Sequence, residues 1–193
     1  MSNVPRLSRS ARLAGSYHVT MKLSAGTFLG VPVRKRSAFG FIFTEYRYGP
    51  STELRPHSHE LPYFSLVVGG SYEERCLVRQ PQRCDAQIAL YHPPDEMHSD
   101  VFGTQGGHIL SVEIPHEYLS KAREYELAVS ERIAFGAVQA KTWRRRVYTA
   151  FTNPRPASDF TLHAAAMELL YELPWQKTGA SGEQRTRLAG AGH

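Results

Sequence analysis

Between Phe39 and Ile114 the apolar residues fall in short runs separated by turn formers, not at the three-to-four-residue spacing of a helix. Phe39 to Tyr48 is aromatic and β-branched and ends at Gly49-Pro50-Ser51, while Leu61 to Val68 is a second run closed by Gly69-Gly70. Ser71 to Val78 and Cys84 to Tyr91 read as a hairpin turning at Arg79-Gln80-Pro81-Gln82, and His108 to Ile114 makes another strand after the stretch Gly103 to Gly107. Strands that recur about every 10 to 15 residues with no helix between them predict a sandwich or barrel and argue against parallel βαβ units. After Pro115 the period changes. Glu117 to Ala128, Ala137 to Phe151 and Ser158 to Leu173 are predicted helices, the second carrying Val138, Trp143, Val147 and Phe151 on its apolar stripe. The fold class is an all-β core, residues 21–115, followed by about three helices over 116–174. A flexible basic segment over 1–20 and a disordered tail over 175–193 are expected at the ends.

Charge refines this picture. The 193 residues hold 23 Lys and Arg against 18 Asp and Glu, a formal +5, with 9 His and 2 Cys. Arg6, Arg9 and Arg12 are unopposed in the first segment, and Lys177, Arg185 and Arg187 face only Glu183 in the last, so residues 21–174 are electrically balanced. A phosphate-binding face needs clustered cations. Trp143-Arg144-Arg145-Arg146 reads as the solvated flank of an amphipathic helix, and no direct nucleic-acid binding is expected from this chain. No apolar run approaches the ~18 residues that cross a bilayer. The N-terminus also lacks the apolar stretch of a secretory signal, so a cytoplasmic location without membrane partners is expected. Cys76 and Cys84 are too few for a disulfide framework and read as two reduced thiols.

Histidines supply the candidate chemistry. In Pro56-His57-Ser58-His59 the two imidazoles, two residues apart on a strand, share one face. His98, in His92-Pro93-Pro94-Asp95-Glu96-Met97-His98, can bring a third from a later strand. Three neutral imidazoles suit a divalent transition metal such as Zn, Ni or Fe, although the same residues can also serve as hydrogen-bonded polar groups at a barrel mouth. Arg55 shares the parity of His57, and Tyr63, Phe41 and Phe43 are further candidates for a ligand pocket. Glu60 should face outward by alternation, and His92 stands where it can support the site.

His57, His59 and Gly70, followed by Pro93 and His98, resemble the two-part motif of the cupin superfamily, whose small jelly-roll barrel is a double-stranded β-helix. The usual carboxylate ligand is replaced by Tyr63 or Phe64, Asp95 stands at the second motif's glycine, and Phe102 at its asparagine. Gly26-Thr27-Phe28-Leu29-Gly30, Gly40-Phe41, Pro56 through Val67, Gly70 through Glu74 and His92 through His98 further resemble the N-terminal sensor half of AraC-type transcription regulators. That resemblance implies a small-molecule effector, a homodimer formed with help from the helices, and a role in regulation. The helix-turn-helix domain that follows in that family falls outside this chain. The alternative is a stand-alone metal-dependent cupin enzyme, of dioxygenase or isomerase type, using His57, His59 and His98.

Overall fold

The computed structural model describes residues 21–178 apart from 77, 78, 154 and 156, so the expectations placed on 1–20 and 179–193 lie outside the described residues. The strands are β1 (Met21–Leu23), β2 (Val31–Ala38), β3 (Phe41–Tyr48), β4 (His57–His59), β5 (Tyr63–Cys76), β6 (Arg79–Cys84), β7 (Ala89–His92) and β8 (His98–Glu113). Then come α1 (His116–Glu124), β9 (Leu127–Ala128), β10 (Ile133–Phe135), α2 (Ala137–Thr152), α3 (Ser158–Tyr171) and β11 (Gln176–Lys177). No described helix is long and apolar enough to cross a membrane.

The long antiparallel pair β5 and β8 forms the spine, running from Tyr63 opposite Glu113 to Cys76 opposite His98. β3 flanks β8 on its other side near the C-terminal end, and β4 meets β8 where His57 faces His98. β7 extends the sheet from β5 and carries β10 in turn, while β6 pairs with the far half of β5.

Two of these elements correct the expected turns. Gly69-Gly70 does not end a strand; β5 continues through it with register shifts on either side. Gly103 to Gly107 likewise lies inside β8. The two glycine segments lie opposite each other, Gly70 facing Gly107, so one pair of irregularities bends both strands of the spine together. The segment expected to be the hairpin turn, Arg79 to Gln82, is strand, pairing back on β5 from Arg79 opposite Cys76. Both cysteines are free, as expected.

The sheet has a helical side and an interior side. Along β3, Phe41 packs against Tyr118 and Phe43 against Phe151, whereas Tyr46 and Tyr48 turn inward to Phe28 and Phe102. The pocket candidates Phe41 and Phe43 are therefore on the face away from any barrel cavity. The core joining the two layers contains Phe64, Leu66 and Leu110 from the sheet with Trp143, Val147 and Leu162 from α2 and α3. Val138, expected on the buried stripe, is 78% exposed; Ala140 and Ala150 take its place. Arg144 is not simply solvated. It donates to the carbonyls of Val67 and Ala86 and ties α2 to the sheet, while Arg146 pairs with Glu168 of α3.

The predicted first helix stops early because the chain turns at Glu126, whose φ is 59°. Beyond it, β9 pairs with β11. Residues 175–178, expected to be disordered, are thereby ordered: the Trp175 indole packs on the core and donates to the Leu170 carbonyl.

Arg36 of β2 closes the other side. Its guanidinium donates to the carbonyls of Ala150, Phe151 and Asn153 at the end of α2, and to Ser158 Oγ and the Asp159 carboxylate at the start of α3. Carbonyls at a helix C-terminus otherwise lack partners and favour a cation. Arg36→Ala is expected to cost about 2 to 3 kcal/mol in urea unfolding, because charge-assisted hydrogen bonds are lost together. Arg36→Lys recovers less than half, since an ammonium cannot reproduce the planar fork; full recovery would reduce the contact to simple charge.

Candidate metal centre

β4 is three residues long and is held from both sides. Met21 and Leu23 of β1 pair with His57 and His59 in parallel, and His57 faces His98 of β8. The His59 carbonyl accepts the Asp95 amide at 2.9 Å, so the turn before His98 is anchored to the strand that carries the other histidines. Asp95, at the position of the motif glycine, has φ 64°, the left-handed conformation that glycine adopts freely and aspartate tolerates.

The result is a convergence of His57, His59 and His98, each with a ligand atom within 4.8 Å of the others. All three are buried. The Nδ1 of His57 lies 2.8 Å from the Arg55 carbonyl and that of His98 lies 3.1 Å from the Glu96 carbonyl. Backbone carbonyls accept only, so both Nδ1 atoms carry the proton and both Nε2 atoms present a lone pair toward the centre, that of His98 shared with the Tyr63 hydroxyl. Tyr63 Oη sits 3.3 Å from His98 Nε2. His59 Nδ1 is buried with no partner.

Burial sets the protonation states. Desolvation, reinforced by neighbouring His98, lowers His57 to about 4 and His59 to about 2. His98 is lowered by desolvation as well. These imidazoles are neutral at pH 7, the form that binds metals. Desolvation raises Tyr63 well above its ordinary value, keeping it a phenol.

Tyr63, Ser65, Tyr72, Glu74, Asp100 and Ser111 join the histidines in lining a cavity of about 30 Å³. That admits about one or two waters and is far below the roughly 300 Å³ of metabolite-sized sites. Arg55, by contrast, is exposed and outside this lining; its role at the site is through its carbonyl. Glu60 also points elsewhere, accepting the Ala25 amide at 3.4 Å. Glu74 and Asp100 went unnoticed in the sequence. Both are buried, and Asp100 is raised well above its ordinary value by desolvation and then by the Glu74 charge.

The donor set fits a divalent transition metal: three neutral imidazoles converge, two oriented by carbonyls, and one buried nitrogen lacks any partner. His57, His59 and His98 would hold it. When bound, such an ion supplies Lewis acidity, and redox capacity if it is iron. Tyr63 offers a hydroxyl beside it, and the aromatic rings of Phe28 and Tyr63 shield His59 from water.

Outside the cavity lining, buried Glu113 receives the Gly26 amide at 2.8 and 2.9 Å, and burial raises its carboxyl to about 7. A folded value above the unfolded value of 4.5 means that the associated stability is present below pH 4.5 and lost as pH rises through 7. Glu113→Gln retains the neutral form. Relative to the parent it is expected to gain on the order of 2 kcal/mol between pH 5 and pH 8; a constant difference across that range contradicts this assignment.

Neither protein-family models nor curated proteins match the chain. Solved structures do. Apo ToxT from Vibrio cholerae aligns over 72% of this chain and 56% of its own, at 10% identity and a TM-score of 0.54, so the chain spans about half the length of that protein. KdgF from Halomonas sp. aligns over 42% of this chain and 76% of its own, at 18% identity and TM-score 0.39. A Klebsiella pneumoniae protein with a double-stranded β-helix domain aligns over 46% and 81%, at 18% identity and TM-score 0.38. Together with the topology, the first establishes the fold: a cupin-type barrel with a C-terminal helical layer, shared with ToxT.

Proposed function

We propose that the chain is a cupin-type regulatory module that holds a divalent transition metal, Zn, Ni or Fe, on His57, His59 and His98. The convergence of three buried, neutral imidazoles carries this reading. The sheet offers a route from site to helices, since successive residues of β5 face opposite ways: Tyr63 and Ser65 line the cavity while Phe64 and Leu66 pack in the inter-layer core. The effector is a molecule of a few atoms, because the cavity admits nothing larger without rearrangement. The regulatory assignment draws on the resemblance of the sequence to AraC-type sensor halves, and the partner is a second copy meeting at α2 and α3, where Val138, Met167 and Tyr171 are exposed. Sizing that finds only a 21.7 kDa species rejects the dimer.

A second reading, a metal-dependent enzyme, is favoured by Glu74 and Asp100 lining the same cavity, since carboxylates held near a metal can move protons. Co²⁺ tests what both readings share. Visible absorption bands are expected on titrating the parent chain and should weaken in His98→Ala; a parent chain without bands removes the metal from the account. Metal-dependent dimerisation then favours regulation, and turnover without it favours the enzyme.

A further inference from the structure

A second cluster of metal-ligating side chains lies behind the Tyr63 ring. Glu74, His92 and Glu96 each place a ligand atom within 4.8 Å of the others. His92 is 1% exposed, and neither of its ring nitrogens has a hydrogen-bond partner. Glu74 Oε2 stands 3.5 Å from Nε2 and Glu96 Oε2 stands 4.0 Å from Nδ1, both too long for good hydrogen bonds. Glu96 Oε2 is itself buried without a partner. A buried imidazole normally satisfies at least one nitrogen, and this one has carboxylates on both sides at non-bonding distance.

An imidazole holds a given ion through one nitrogen, and the 3.5 Å gap from Nε2 to Glu74 Oε2 matches an ion interposed there, with a ligand atom of Glu96 within 4.8 Å of both partners'. Ligand atoms about 2.0 to 2.2 Å from a Zn-sized cation stand about 3 to 4 Å from one another. Arg132 does not occupy the place, because it binds Glu74 through Oε1 and leaves Oε2 turned toward His92. Arg132 pairs directly with Glu74, while among the described residues no Arg or Lys forms an ion pair with Glu96, which leaves a carboxylate that a cation would pair. The His92 ring is fixed by stacking on Tyr63, with centroids 4.2 Å apart and planes within 5°. We propose that Glu74, His92 and Glu96 form a second divalent-cation site, taking Zn²⁺ on one imidazole and two carboxylates. Its three ligands are distinct from the three histidines, although Glu74 also borders their cavity and His92 lies beside His98, with ring centroids 5.3 Å apart.

The test is equilibrium dialysis of the full chain against Zn²⁺, followed by elemental analysis. Glu96→Gln, a change on a half-buried loop residue, should bind one ion fewer than the parent while leaving the far-UV and near-UV circular dichroism unchanged. The double variant His57→Ala/His59→Ala should retain one ion, and adding Glu96→Gln should remove it. If the three-histidine reading fails but this one holds, the parent binds one ion, and the double variant keeps it. The proposal is overturned if Glu96→Gln binds as many ions as the parent, or if the double variant binds none while folded, which would leave only water between these groups. Should the double variant not fold, the comparison of Glu96→Gln with the parent decides alone.

Discussion

Gly70→Ala is expected to destabilise the chain by on the order of 4 kcal/mol, or about 10 °C in melting temperature for a domain of this size. Two effects add. Gly70 has φ 71°, where a side chain is strained, and a Cβ built there would lie 2.1 Å from the Gly106 carbonyl oxygen. The obstacle is backbone on the paired strand, so β5 and β8 must separate or the bend must move. The bend also decides which side chains reach the interior. A straightened β5 would turn Tyr72 and Glu74 away from the cavity, so the surviving folded fraction should bind metal more weakly. A melting temperature within about 2 °C of the parent would mean that the close approach at Gly70 is not a constraint.

The second large effect is stabilisation by metal. An ion that binds only the folded chain stabilises it by about 4 kcal/mol at a free concentration a thousandfold above its dissociation constant, which corresponds to about 10 °C. His57, His59 and His98 meet only in the folded chain, where β4 lies against β8. The rise should therefore follow metal concentration logarithmically and shrink in His59→Ala. His59 suits the test because its Nδ1 has no protein partner to lose. Equal stabilisation of parent and variant would place the ion elsewhere.

Much of this site was legible from local spacing. The H-x-H pair needs only the two-residue period of a strand, and His98 needs only a strand that returns beside it; both conditions hold in β4 and β8. Glu74 and Asp100 were not legible for a physical reason. Counting by twos from Tyr63 sends Glu74 to the helical side, but the irregularities around Gly69-Gly70 reverse the parity, so Tyr63 and Ser65 share the interior with Tyr72 and Glu74. The same reversal across Gly103 to Gly107 lets Asp100 and Ser111 line one cavity. The glycines were visible in the sequence and read as strand ends, because a bulge and a turn use the same residue.

Arg36 shows a second limit. Nothing near Val31 to Ala38 announces that one arginine will meet five groups on α2 and α3 more than a hundred residues later. The misplaced pocket candidates Phe41 and Phe43 have a related cause. Their alternation along β3 was visible, but which face looks inward depends on where the helices dock. Arg55 was lost because β4 begins only at His57, and parity does not extend into the preceding loop.

The most direct measurement is the difference in bound transition metal between the parent chain and His57→Ala/His59→Ala. Both are dialysed together against the same Zn²⁺ solution, checked by circular dichroism for retained fold, and analysed by elemental spectrometry. The account predicts that the parent carries one ion per chain more than the variant. Equal metal content in two folded proteins, whether none or some, would contradict it.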